Sequence, residues 1–157
     1  MVERSKMVMF SAYPGAMRFP PIVCLCGSTK FKEEFTRLNM ELTLVGKVVV
    51  TVGAFMHADN LLLEPDKRTL DVLHLRKIDL ADEVLFVNVR GYIDKSTARE
   101  LAYTIYKKPF KKIVFLEPDL GEKFMQLNSH ILGSLTADFA NGLELPQIND
   151  LVIINAF

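Results

Sequence analysis

The chain carries no excess charge of either sign. Its 19 lysines and arginines balance 19 aspartates and glutamates, so no global field draws it toward a nucleic-acid polymer or an anionic membrane. Cysteine is scarce, with only Cys24 and Cys26. At i and i+2 of an apolar strand their side chains share one face, where a disulfide would need an unusual strand distortion. No further ligands stand near them at metal-site spacing, so the expectation is buried, reduced thiols, with no metal and no cofactor. A reducing, cytoplasmic setting fits that usage. Long apolar runs are also missing. None approaches the roughly 18 residues of a transmembrane helix, and the first twenty residues, with Glu3, Arg4, Lys6 and Arg18, hold no signal-peptide core. There is no P-loop and no Gly-x-Gly-x-x-Gly fingerprint, which argues against ATP hydrolysis and hydride transfer. Internal repeats and low-complexity tracts are absent too.

What is present is a chain of 157 residues, half of them hydrophobic, enough for one domain with a sizeable core. Residues 1–20 read as a leader or a dimer-contact arm, and 21–157 as the domain. Ile22 to Cys26 is an apolar strand ending at Gly27-Ser28-Thr29, and Phe31 to Leu44 has a helical apolar face closed by Gly46. Val48 to Val52 is β-branched and of strand type. Gly53 to Pro65 forms a long irregular connection, of the kind that is usually functional or disordered. A second helix starts near Pro65 and runs to about Leu80, meeting the sheet through either Leu70, Leu73 and Lys77 or Val72, Leu75 and Ile78. Glu83 to Val89 is the third strand, Ser96 to Lys107 the third helix and Ile113 to Leu116 the fourth strand, with Pro109 enforcing the last break. The alternation predicts a single α/β, Rossmann-like domain whose parallel sheet of four to five strands is covered by helices on both faces. Beyond Pro118 the pattern weakens: Phe124 to Leu132 is a candidate helix, Leu151 to Ile154 a candidate fifth strand, and Gly133 to Asp150 is ambiguous.

Ligands of open α/β sheets bind outside the carboxyl ends of the strands. Three groups belong at that edge. Gly27-Ser28-Thr29 turns from the first strand into the first helix, with a glycine that admits close approach and hydroxyls able to cap the helix or meet an anion. Arg90 to Asp94 leads from the third strand into the helix that carries Glu100. Asp71 and His74, one turn apart, lie in the early part of the second helix, whereas Asp79 and Asp82 lie at its far end and read as capping or surface groups. Each candidate also has a bland role. Glu100 would serve as a solvated glutamate helped by the helix dipole, Asp94 as an N-cap, His74 as a structural histidine, and Gly27 to Thr29 as a plain capped turn.

Cys-Gly-Ser-Thr after the first strand, Leu80-Ala81-Asp82-Glu83-Val84 entering the third, and Ser96-Thr97-Ala98-Arg99-Glu100-Leu101 together resemble the nucleoside 2-deoxyribosyltransferase superfamily, which includes deoxynucleoside 5′-monophosphate N-glycosidases. The resemblance spans about Ile22 to Pro118 and lies in the order and spacing of the motifs. It implies a flavodoxin-type domain assembling as a homodimer or higher homo-oligomer, acting on a nucleoside or nucleoside 5′-monophosphate. Glu100 matches the nucleophile that attacks C1′ of the sugar, chemistry suited to a carboxylate. Asp94 matches a position contacting sugar or base, and Gly27, Ser28, Thr29, Gly91 and Ser96 match sugar- or phosphate-binding turns.

Two positions depart from the family pattern. A tyrosine that places the glutamate is replaced by Cys24, and an aspartate that assists the leaving base by His74, with Asp71 one turn earlier as a substitute if the helix is offset. Histidine can still act as a general acid near neutral pH. The expected activity is therefore N-glycosidic cleavage or 2-deoxyribosyl transfer, a hydrolase or a transferase. A monophosphate substrate is preferred because Ser28, Thr29, Lys30, Ser96 and Arg99 cluster at anion-suitable turns, and the 53–65 connection is expected to act as a lid. The alternatives are a non-catalytic nucleotide-binding sensor or regulatory module, and a structural oligomer that shares only the fold.

Overall fold

The computed structural model describes residues 19–52 and 64–154. The expected leader or arm, and nearly all of the expected lid with its Gly53 and Phe55, lie outside these residues. Four strands, β1 (Ile22–Cys26), β2 (Val48–Val50), β3 (Glu83–Phe86) and β4 (Lys112–Phe115), form one sheet in the order β2-β1-β3-β4. Every pairing is parallel, with Cys24 opposite Val50 on one side and Val84 on the other. The helices are α1 (Lys32–Leu44), α2 (Glu64–Leu80), α3 (Lys95–Tyr106), α4 (Pro118–Leu127) and α5 (Ser129–Ala140). Among the described residues no helix is long and apolar enough to cross a membrane.

Strand alternation sends β1 side chains to two different cores. Val23 and Leu25 meet Phe35, Leu38 and Leu42 of α1 on one face. Cys24 and Cys26 face the other, with Leu75 and Ile78 of α2, Leu101 and Ala102 of α3, and Leu135 and Phe139 of α5. Of the two faces considered for α2, the one with Leu75 and Ile78 is buried, while Leu73 is half exposed. The close of α1 is a Schellman turn. Gly46 adopts φ 90°, its N–H donates to Thr43 and that of Lys47 donates to Leu42. A side chain at Gly46 would be strained in that conformation.

The sheet is shorter than its apolar runs. β2 stops at Val50 rather than Val52, and β3 at Phe86 rather than Val89. Past Phe86 the chain turns into a 3-10 segment, Val89–Gly91, held by buried Asn88. Its amide donates to the Glu117 carbonyl at 3.0 Å and accepts from the Glu117 N–H at 2.8 Å, tying the end of β3 to the end of β4.

Two expectations for the last forty residues are corrected. Phe124 to Leu132 is not one helix but the junction of α4 and α5, broken at Asn128. Leu151 to Ile154 is not a fifth strand. The buried Asn128 side chain satisfies both backbone groups of Val152, accepting from its N–H at 2.7 Å and donating to its carbonyl at 2.7 Å. An asparagine amide thus supplies the pairing that a neighbouring strand would have offered.

Candidate active site

β1 and β3 are adjacent, so the loops leaving their carboxyl ends open onto one crevice, and α2 descends into it from the same edge. The crevice floor and near wall are Gly27, Ser28 and Thr29 after β1, with Asp94, Ser96 and Glu100 of the α3 start opposite. Lys67, Leu70, Asp71 and His74 of α2 complete the ring, at i, i+3, i+4 and i+7 on one helical face. A Cβ at Gly27 would stand 3.0 Å from the Val87 side chain and carbonyl, so a side chain there would make Val87 give way.

Local structure fixes each group. The Ser28 hydroxyl caps the 3-10 turn Thr29–Phe31 by accepting from the Lys30 N–H at 3.4 Å. Asp94 caps α3 by accepting from the Thr97 N–H at 2.9 Å, the stabilising role of a carboxylate at a helix N-terminus. It still lines the crevice. Glu100, two turns into α3, points inward, and its Oε2 is buried with no hydrogen-bond partner. Its Oε1 lies 3.9 Å from His74 Nε2. That nitrogen in turn lies 3.3 Å from Cys26 Sγ and 3.9 Å from Cys24 Sγ.

The electrostatics follow from this crowding. Burial pushes the Glu100 carboxyl up to about 7, with His74 partly offsetting it and Asp94 adding to it. Burial by itself would pull the His74 imidazolium down, but the Glu100 carboxylate and the Cys24 thiol overturn that and hold it at about 9. The Cys24 thiol is lowered to about 6, chiefly by its hydrogen bond with Cys26, against burial and with help from His74. Burial drives Cys26 the other way, well above the ordinary thiol range. The crevice therefore sets a histidine that keeps its proton more tightly than usual beside a carboxyl that gives its proton up less readily than usual.

No protein-family model, curated protein or solved structure matches the chain.

The structure thus brings together Gly27, Ser28, Thr29, Asp71, His74, Asp94, Ser96 and Glu100. It does not bring in Gly91, which turns at φ 82° and packs toward Leu120 and Ile154. Lys30 is also elsewhere, its ammonium 3.4 Å from the Tyr92 ring centroid. Asp79 and Asp82 lie outside the crevice. Asp79 accepts from the Tyr103 hydroxyl at 2.5 Å, and Asp82 accepts from the Ile22 N–H at 2.8 Å. The expectation that the two thiols lack a further ligand is corrected, because α2 delivers His74 to both of them. Sequence reasoning also missed Lys67, although its spacing to Asp71 and His74 was the available signal. A second cavity shares Lys67, Asp71 and Ser96 with the first and is further lined by Arg68, Lys95 and Arg99. Four basic side chains against one carboxylate make it anion-favouring.

Proposed function

We propose that the protein cleaves the N-glycosidic bond of a nucleoside 5′-monophosphate, or transfers its deoxyribosyl group, with Glu100 as nucleophile. The observation that carries this is the Glu100 carboxylate, buried at the strand-end crevice, with one oxygen unpartnered and a histidine 3.9 Å from the other. An uncompensated buried carboxylate costs stability, and such costs concentrate where chemistry needs them.

In this mechanism an ionised Glu100 oxygen attacks C1′ while the C1′–N bond breaks, giving a glycosyl ester on the enzyme. The electron pair of the broken bond leaves with the base, and the His74 imidazolium gives that base its proton. Water, or a second base, then attacks C1′ of the ester and releases Glu100. Asp71 sits one turn from His74 on the same wall and would hold the base or the water. Ser28, Thr29 and Ser96 would orient the sugar, and the basic cavity beside them would take the phosphate. No metal or redox group enters these steps.

A second reading, a nucleotide-binding module without turnover, is favoured by one distance. His74 Nε2 is closer to Cys26 Sγ, at 3.3 Å, than to Glu100, so that nitrogen is engaged away from the crevice. Incubation with a panel of nucleosides and 5′-monophosphates separates the two. Release of free base, abolished in Glu100→Ala, supports catalysis. Thermal stabilisation by a monophosphate that survives Glu100→Ala, with no base released by the unsubstituted protein, supports the binding module. A folded protein that neither releases base nor is stabilised by any ligand of the panel defeats both. Assembly as a homo-oligomer belongs to the same proposal, and light scattering tests it.

A further inference from the structure

Behind the crevice wall lie two thiols that the proposed reaction does not use. Cys24 and Cys26 are fully buried, both free of disulfide, and turned to the same face by strand alternation. His74 comes to them from α2, and the donor atoms of the three residues all lie within 4.8 Å of one another. Glu100 Oε1 stands 3.9 Å from the same histidine nitrogen, and Oε2 of that carboxylate has no partner.

We propose that Cys24, Cys26, His74 and Glu100 form a binding site for a thiophilic divalent cation, Zn²⁺, held in a closed tetrahedron. The ligand types suit the ion: two sulfurs, one imidazole nitrogen and one carboxylate oxygen. The spacing suits it as well. Zinc bonds of about 2.3 Å to sulfur and 2.0–2.1 Å to nitrogen, opened to a tetrahedral angle, separate sulfur from nitrogen by about 3.6 Å. The observed separations bracket that value, at 3.3 Å for Cys26 and 3.9 Å for Cys24. Glu100 stands outside the three donors that lie within 4.8 Å of one another, so it completes the tetrahedron by swinging its side chain toward the sulfurs as well as closing on His74 from 3.9 Å, a rotamer change for a side chain with a free oxygen. On binding, the Cys26 thiol and the His74 imidazolium each release a proton to solvent, as does any fraction of Cys24 or Glu100 still protonated, and His74 coordinates as neutral imidazole through Nε2. Two thiolates and a carboxylate exceed the ion's charge by one. The entry path is the crevice itself, since His74 and Glu100 line it.

The site is independent of the reaction assigned to the crevice, because it needs only the four donors. It has a consequence for that reaction, however: the ion takes the nucleophile and the proton donor together, so a loaded protein is a blocked one.

Titrating the reduced protein with Co²⁺ under anaerobic conditions tests the assignment without any assay of activity. The expected result is a near-ultraviolet thiolate-to-cobalt charge-transfer band and tetrahedral d–d bands that saturate at one equivalent per chain and are bleached by one equivalent of Zn²⁺. Cys26→Ser should lose most of the charge-transfer intensity, and Glu100→Gln should weaken binding about 10-fold or more. Because Cys26 is in the core and its variant risks misfolding, X-ray absorption of the Zn²⁺-loaded unsubstituted protein supplies the second measurement. Two sulfurs near 2.3 Å with two nitrogen or oxygen neighbours near 2.0–2.1 Å support the site. A zinc shell of nitrogen and oxygen alone, or no charge-transfer band with a folded protein, overturns it.

Discussion

The two ends of the sheet treat their charges in opposite ways. At the amino edge the carboxylates of Glu83 and Asp79 are held by cations and hydrogen bonds. Glu83 takes Lys47 at 2.8 Å and Lys112 at 3.7 Å. Asp79 takes Arg76 at 3.3 Å, Lys107 at 3.4 Å and the Tyr103 hydroxyl, and it raises the Tyr103 phenol after burial has already done so. Lys111 closes the end of α2 by donating to the carbonyls of Asp79 and Ala81. At the carboxyl edge Glu100 is more deeply enclosed than any of these, yet one of its oxygens has no partner. The same helix serves both ends, with Asp71 and His74 near the crevice and Asp79 a turn or more beyond. Charge alone does not mark a site. An oxygen buried without a hydrogen bond narrows the choice, among the described residues, to two carboxylates, Glu41 and Glu100, and of these Glu41 is paired with Arg37 on α1 while Glu100 faces the crevice.

Glu100→Gln tests this contrast most severely. If the crevice is catalytic, base release falls by at least about 10³-fold, since an amide oxygen does not form the glycosyl ester. Thermal stability should hold or rise, because the substitution removes a charge that burial disfavours. Lost activity with unchanged melting would set the carboxyl edge apart. Full activity in Glu100→Gln would end the proposal.

His74→Asn comes next. It should lower turnover by roughly 10²-fold or more where the leaving base needs a proton, and far less on a substrate whose base leaves as a stable anion. The pH profile of the unsubstituted protein, with a chelator present, carries the same information. Activity should rise as Glu100 ionises through about 7 and fall as His74 loses its proton through about 9, a bell belonging to the pair rather than to either residue. In His74→Asn the alkaline limb should disappear. The acid limb should move up, because the cation that lowers Glu100 is gone. An alkaline limb that persists in the variant would transfer the acid role to another group.

The sequence announced this contrast unevenly. Alternating β-branched runs and helical apolar faces made the α/β layout legible, and topology alone separated Asp71 and His74 from Asp79 and Asp82. What it hid were contacts made by single polar side chains across long separations. Asn128 reaches Val152 over 24 residues, and nothing in Leu151–Ile154 distinguishes a strand paired by backbone from a segment paired by one amide. The closeness of Cys24, Cys26 and His74 was hidden for the same reason, since His74 is 48 residues from Cys26 and local spacing carries no trace of it. Cys24 and His74, far apart in sequence, turn out to meet at 3.9 Å, with Glu100 3.9 Å from the same histidine nitrogen.

Asn128→Ala should cost about 1–3 kcal/mol, because it removes the two hydrogen bonds to Val152, each worth about 0.5–1.5 kcal/mol. Denaturant unfolding measures the loss. Amide exchange at Val152 should quicken by more than that of β1, which quickens only by the global loss of stability. A loss below about 0.5 kcal/mol would mean that water replaces the amide and that the latch has no structural weight.

The smallest effect lies at the amino edge, and it completes the comparison. Glu83→Gln removes a carboxylate held by Lys47 and Lys112, but the lysines are partly exposed and solvent replaces much of what is lost. Stability should fall by up to about 1 kcal/mol, and the fall should shrink in high salt as screening weakens the pairs in the unsubstituted protein. Base release should not change, because Glu83 opens β3 at the end of the sheet opposite Glu100. Glu83→Gln and Glu100→Gln are the same chemical change made at the two ends of one sheet. If the first lowers stability without touching turnover and the second does the reverse, partnering is what divides structural from functional charge here. If both lower turnover alike, the two ends are coupled through β3 and α3, and the division is lost.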